Sequence, residues 1–123
     1  MTDIDVAEDV RDAILATALD YYEGWFDGDA TRMTRALHPQ LVKRSLEEDG
    51  SIEALTAEDM ITGAATGVGR RTDPAERRLE ITVDHVHGTI ATAHATGAVY
   101  VDYLQLVLVD GRWTILNALW ARA

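Results

Sequence analysis

One carboxylate of this sequence stands among apolar neighbours. In the run Tyr100-Val-Asp-Tyr-Leu104, strand alternation puts Asp102 on the same face as Tyr100 and Leu104. Desolvation on such a face raises a carboxyl pKa and suits the group to proton transfer. The structural alternative is a strand-end carboxylate held by backbone donors or an arginine. His94, in mid-strand with Ile90 and Thr92, is a second acid–base candidate or else a core histidine with satisfied nitrogens. His85 and His87 share a strand face and could chelate. A catalytic zinc site wants three protein ligands, however, and no HExxH pair exists here, so no metal is expected and the pair reads as a solvated strand end. His38, just before Pro39, either reaches a ligand cavity or caps the last carbonyls of a short helix. Ser45 lacks a G-x-S-x-G elbow and is no nucleophile. With no cysteine there is no thiol nucleophile, thiolate metal site or disulfide, and no cofactor is expected.

The chain that must position these groups has 123 residues, enough for one domain and one core, taken as 1–123. Its 21 acidic and 11 basic residues leave a net charge of -10, which repels phosphate backbones and anionic lipid surfaces. Neither nucleic acid nor membrane is an expected partner. The acidic start lacks the basic and apolar regions of a secretion signal, and no apolar run approaches the roughly 20 residues that span a bilayer. A soluble, cytoplasmic protein is expected.

Apolar residues at Val6, Val10, Ile14, Thr17/Ala18, Tyr21 and Trp25 form one stripe of a long helix. Leu15, Leu19, Tyr22 and Phe26 widen it toward burial on two sides. Gly28 ends this helix, and Asp29 caps a short one from about Ala30 to Leu37 that Pro39 stops. A strand is expected over Leu41 to Leu46, with Lys43-Arg44 facing water or holding an anion, followed by a polar loop over 47–51. Thr56-Ala-Glu-Asp59 then resembles a capping box for a helix reaching about Ala65. Gly63, Gly67, Gly69 and the charged run Arg70 to Arg78 read as an exposed, mobile connector with solvated charges. In the next run Leu79, Ile81, Val83 and His85 alternate against polar residues as a strand. Ile90 to Thr96, Val99 to Val109 and Trp113 to Trp120 follow as strands, with Asp110-Gly111 as a hairpin turn. In the last hairpin one face carries Leu104, Leu106, Leu108, Leu116 and Trp120. The other carries Val101, Tyr103, Val107, Val109, Trp113, Ile115 and Leu119. Helices on one side cover only one of these faces, so the face of Tyr103, Val107, Trp113, Ile115 and Leu119 is expected to form a homodimer.

This order of elements, the stretch Tyr21-Tyr22 to Gly28-Asp29 and the terminal YVDYLQLVLVDGRWTILNALW together resemble the nuclear transport factor 2-like superfamily, and within it the SnoaL-like or putative lumazine-binding branch. The resemblance implies an α+β, cystatin-like cone: three N-terminal helices on a strongly curved, mostly antiparallel sheet around a cavity. By similarity to steroid isomerases of that superfamily, Tyr21 would donate to a developing oxyanion, whereas the general-base position falls on Ser45, which cannot take a proton near neutrality. A second carboxylic acid position falls near Leu104, two residues from Asp102. Trp25, His38, Met60, Tyr100, Leu104, Leu116 and Trp120 are then the expected ligand contacts. The implied function is binding of a small apolar or aromatic molecule. One alternative is an isomerase, cyclase or dehydratase using Asp102 or His94 with Tyr21. Another is a noncatalytic dimeric interaction module whose cavity is filled by its own side chains.

Overall fold

A computed structural model describes the backbone of residues 3–123 and the side chains of residues 8–123. Helix α1 (Asp3–Asp27) is followed by α2 (Ala30–Ala36), strands β1 (Leu37–Leu46) and β2 (Ile52–Thr56), α3 (Ala57–Ala65), and strands β3 (Leu79–His87), β4 (Ile90–Gly97), β5 (Tyr100–Val109) and β6 (Arg112–Arg122). The strands form one sheet in the order β2-β1-β6-β5-β4-β3. Only the β1–β6 pair is parallel. The three helices pack on one face of this mixed sheet, an α+β fold as expected.

Local chemistry explains the helix ends. Gly28 adopts φ 67°, a left-handed conformation that glycine reaches without strain. Asp29 Oδ1 accepts from Arg32 N at 3.1 Å and caps α2. At α3 the Thr56 and Asp59 side chains exchange reciprocal bonds with each other's backbone N–H, the expected capping box. Strand β2 was not expected, because its edge position leaves Ile52 exposed and without alternation.

The core lies between α1 and the sheet. Ile14, Ala18, Tyr21, Tyr22 and Phe26 of α1 meet Leu104, Leu106, Ile115 and Ala118 of the central strands. Small residues at Ala91, Ala93 and Ala95 are the buried, inward positions of β4. Thr17 Oγ1 donates to Trp113 O at 2.9 Å, a buried tie between α1 and β6. Leu19 is exposed and Leu15 half-buried, so the second apolar stripe of α1 is buried only at its C-terminal end, at Tyr22 and Phe26. Val6, the first residue of the expected stripe, lies outside the described side chains.

Two bulges decide which residues face the core. In β6, Asn117 pairs with Gln105 and Ile115 with Leu106, so Leu116 is the extra residue. The parity of the strand changes there. Trp113 and Ile115 therefore point into the core together with Ala118, and Leu116 turns toward the helix-free face. Unbroken alternation had put Trp113 and Ile115 on the dimer face and Leu116 inside. In β3, Val83 pairs with Ala93 and His85 with Thr92, which makes Asp84 the extra residue and sends His85 outward while Val86 takes the inner position.

If this parity holds, Ile115→Ala should destabilise the protein by about 2–5 kcal/mol as a buried truncation, and Leu116→Ala by less than half of that. Chemical denaturation of the two variants decides the point, because unbroken alternation demands the opposite order.

Candidate functional site

The site grows from two charged residues that the sheet brings close. Lys43 on β1 pairs with Ala118 of β6, and Asp102 on β5 pairs with Trp120 two residues further along the same strand. Both side chains point toward α1, and both are buried, with Asp102 1% and Lys43 8% exposed. Helix α1 supplies their polar partners from consecutive residues. Tyr22 Oη donates to Asp102 Oδ2 at 2.9 Å, and Lys43 Nζ donates to Tyr21 Oη. The two phenol rings meet edge to face at 4.7 Å. Lys43 Nζ also lies 5.1 Å from the Tyr21 ring centre and 4.9 Å from that of Trp120, within range of cation–π attraction.

This arrangement leaves charge incompletely compensated. Among the described residues, no carboxylate lies within ion-pair distance of Lys43. Asp102 Oδ1 and Trp120 Nε1 are buried without a hydrogen-bond partner. Burial pushes the Asp102 carboxyl above its ordinary range, against the pull of Lys43 and Tyr22. Burial also pushes the Lys43 amine below its ordinary range, opposed by Asp102 and Glu53. Both phenols are pushed well above the usual tyrosine value, by burial first and by Asp102 second. The result is a weak acid and a weakened cation joined to two neutral phenols, one accepting from Lys43 and one donating to Asp102, a set able to hold or move a proton.

Tyr21, Tyr22, Trp25, Lys43, Tyr100 and Asp102 enclose a cavity of about 10 Å³. A space of that size holds about one water molecule. The expected roomy cone is therefore filled by its own aromatic side chains. Trp25 Nε1 donates to Tyr100 Oη at 3.2 Å, and these two are the only half-buried members of the lining; the other four are buried. Trp25 and Tyr100 thus form the rim between cavity and solvent. Tyr100 stacks on Phe26 at 6.2 Å and meets Trp120 edge-on at 5.7 Å. Trp25 rests on backbone: a Cβ at Gly69 would fall 2.0 Å from its Nε1, and one at Gly63 would fall 2.9 Å from its ring. The glycines read as connector residues are the seat of the rim tryptophan.

The charged run beyond them is also engaged. Arg77 bonds Asp27 at 2.6 Å and lies over the Phe26 ring at 5.4 Å, Arg71 N donates to Phe26 O at 3.1 Å, and Arg70 donates to Asp27 O at 3.3 Å. These arginines cover the C-terminal end of α1, where cations are favoured, so the reading of a solvated connector is corrected.

Of the residues singled out by sequence, Asp102, Tyr21, Trp25 and Tyr100 converge on the cavity, and Trp120 packs against Lys43 beside it. Met60 and Leu104 are core residues outside the lining. His94 is corrected outright. The inward positions of β4 are its alanines, which leaves the His94 ring on the helix-free face, paired with Asp84 at 2.9 Å and 6.2 Å from Tyr103. Leu116 is on that face too, for the reason of parity given above. His38 sits at the start of β1, where its Nδ1 accepts from Gln40 N at 3.0 Å, a local turn contact away from the cavity. Lys43 and Tyr22 were missed. Lysine followed by arginine reads as surface charge, and alternation with buried Leu41 and Ser45 was the one signal that could have placed Lys43 inside.

Larger hollows, of about 530 and 570 Å³, are open depressions on the helix-free sheet face, sharing Thr92, Gln105 and Asn117. They carry none of the acid–base set. Among the described residues no group of three or more His, Asp or Glu is placed to hold a metal, and no helix is long and apolar enough to cross a membrane.

The sequence profile of the family described as "Putative lumazine-binding" matches residues 9–121. No curated protein matches the chain. Among solved structures, an NTF2-like protein of unknown function from Silicibacter pomeroyi DSS-3 is similar with a TM-score of 0.75, 20% identity and full coverage of both chains. One from Shewanella baltica OS155 gives 0.70 and 21% identity over 100% of this chain and 98% of that one. A ketosteroid isomerase-like protein from Erwinia carotovora atroseptica SCRI1043 gives 0.64 and 10% identity over 91% and 95%. At these identities the likeness is one of fold.

Because the Cβ of an alanine at Gly69 cannot coexist with the Trp25 ring, Gly69→Ala should unseat the tryptophan, break its bond to Tyr100 and destabilise the protein by about 1–3 kcal/mol. A denaturation midpoint equal to that of the parent, with unchanged tryptophan emission, would show that the ring is not held by this seat.

Proposed function

The chain belongs to the family described as "Putative lumazine-binding", within the nuclear transport factor 2-like superfamily, and on that premise we propose that it binds a small neutral molecule with a hydrogen-bond donor in the interior site under α1. The observation that carries this reading is Asp102 Oδ1, an acceptor buried in the cavity wall without a partner. Leaving such an atom unpaired costs about 1–3 kcal/mol, which a ligand N–H or O–H would recover. The aromatic walls supply stacking surface, and displacement of the Trp25–Tyr100 rim supplies entry and room. The charge of -10 and the buried carboxyl disfavour multiply charged anions.

A second reading, proton transfer in an isomerase, cyclase or dehydratase, is favoured by one specific feature. Asp102 has its pKa raised toward the working range of a general acid–base group while Tyr22 stays a protonated donor to it and Tyr21 a neutral phenol beside Lys43. His94 has no part in it. The chain is further proposed to form a homodimer through the helix-free face, where Ile90, Tyr103 and Leu119 are 56%, 60% and 55% exposed. That patch replaces the one expected from alternation, since Trp113 and Ile115 are inside. Light scattering should return twice the chain mass; a monomer at micromolar concentration removes the pairing.

A thermal-shift panel tests the ligand class. Aromatic heterocycles with ring N–H donors, lumazine among them, should raise the melting temperature, whereas phosphorylated and dicarboxylate compounds should not. Asp102→Asn should weaken binding of an active heterocycle by about 10-fold, the loss expected when a carboxyl acceptor is replaced by an amide. Stabilisation by the anions alone would sink the reading.

A further inference from the structure

The sequence contains ten arginines and a single lysine, and that lysine is Lys43, the cation buried in the interior. The other basic positions carry a guanidinium that stays protonated and cannot act as a nucleophile. Lys43 is the exception in both place and chemistry. Among the described residues its one hydrogen-bond partner is a phenol and no carboxylate pairs with it, and it lines the cavity together with an acid whose second oxygen is without a partner. We propose that Lys43 captures small neutral aldehydes as an imine inside the cavity. The inference rests on the interior binding site proposed above and assigns that site a covalent ligand class.

The geometry distributes the roles. In its unprotonated form, which burial makes easier to reach than for an exposed lysine, Lys43 attacks the carbonyl carbon with its nitrogen lone pair. The C=O π pair moves to oxygen, which takes a proton from the Asp102 carboxyl. The new C–N bond gives a carbinolamine, and the nitrogen loses a proton back to Asp102. Asp102 then protonates the hydroxyl, which leaves as water while the nitrogen lone pair forms C=N, and the iminium returns its N–H proton to the Asp102 carboxylate. Aldehyde and amine become imine and water, with no oxidant or reductant consumed. Tyr21 holds the amine in place, and the Trp120 face 4.9 Å away shields the nitrogen from bulk water. The cavity of about 10 Å³ holds about one water molecule, so even a two-carbon aldehyde enters by displacing the Trp25–Tyr100 rim. Neutral aldehydes are preferred over oxo acids because Asp102 already occupies the wall.

The test uses acetaldehyde with cyanoborohydride at pH 7, which converts the imine into a stable N-ethyl amine, followed by peptide mass mapping. With one lysine, the only other amine is the terminal one, which serves as an internal reference. The same reaction on the urea-unfolded chain gives the rate for Lys43 as an ordinary amine. Ethylation of Lys43 should be faster in the folded protein by about 10-fold or more, because an unfolded lysine is almost wholly protonated at this pH. Its rate should saturate with acetaldehyde concentration, and Tyr21→Phe, which keeps the amine, should lower the folded rate. Slower labelling in the folded state than in urea overturns the proposal, whatever the variant does. If Lys43 is protected while heterocycles of the thermal-shift panel still bind, the imine is wrong and the binding site stands; if neither reacts nor binds, both are wrong.

Discussion

Two opposite charges buried under one helix are the constraint on which this structure turns. Moving a carboxylate and an ammonium out of water costs several kcal/mol each, and a core of alanines and leucines returns nothing for it. Compensation comes from geometry: Asp102 and Lys43 lie on strands either side of β6, and consecutive tyrosines of α1 reach one charge each. That requirement sets the rotation of α1 about its axis. Turning the helix by one residue would withdraw Tyr21 from Lys43 and Tyr22 from Asp102 together.

The same constraint reaches the sheet. A parallel β1–β6 pair places Lys43 opposite Ala118, whose small side chain leaves the space into which the lysine stem extends. The bulge at Leu116 keeps Ala118 and Trp120 on the inner face while Trp113 and Ile115, before it, also face inward. Without an extra residue the strand would present either its beginning or its end to the core, but not both. The interior polar cluster and the packed core thus depend on one irregular position.

Around the cluster, aromatic side chains do what a ligand does in an open cone. Trp25 and Tyr100 form the rim, with Trp120 edge-on to Tyr100 and facing Lys43. The glycines of the 63–69 segment receive the Trp25 ring, and the arginines that follow fasten the segment to the end of α1. Access to the buried groups is therefore a property of side-chain and loop motion rather than of a standing channel, and ligand size is coupled to the stability of that rim.

By itself the sequence determined the elements and their order, apart from the edge strand β2 and the first residues of β1. Helical periodicity, the caps at Gly28, Asp29 and Thr56, and the Asp110-Gly111 turn are local signals, and local chemistry carries them into the fold unchanged. It also placed Tyr21, Trp25, Tyr100 and Asp102 on inward faces, because those residues lie in uninterrupted stretches where periodicity is reliable. Tertiary structure decided the rest. Bulges at Asp84 and Leu116 reverse strand parity, and nothing in a single strand announces them, since they answer to pairing with neighbours far along the chain. Lys43 beside Arg44 has the pattern of surface charge. Only the parallel pairing with β6 and the reach of Tyr21 across from α1 turn it into a buried amine, and that is a long-range balance of desolvation against hydrogen bonding that no local window contains.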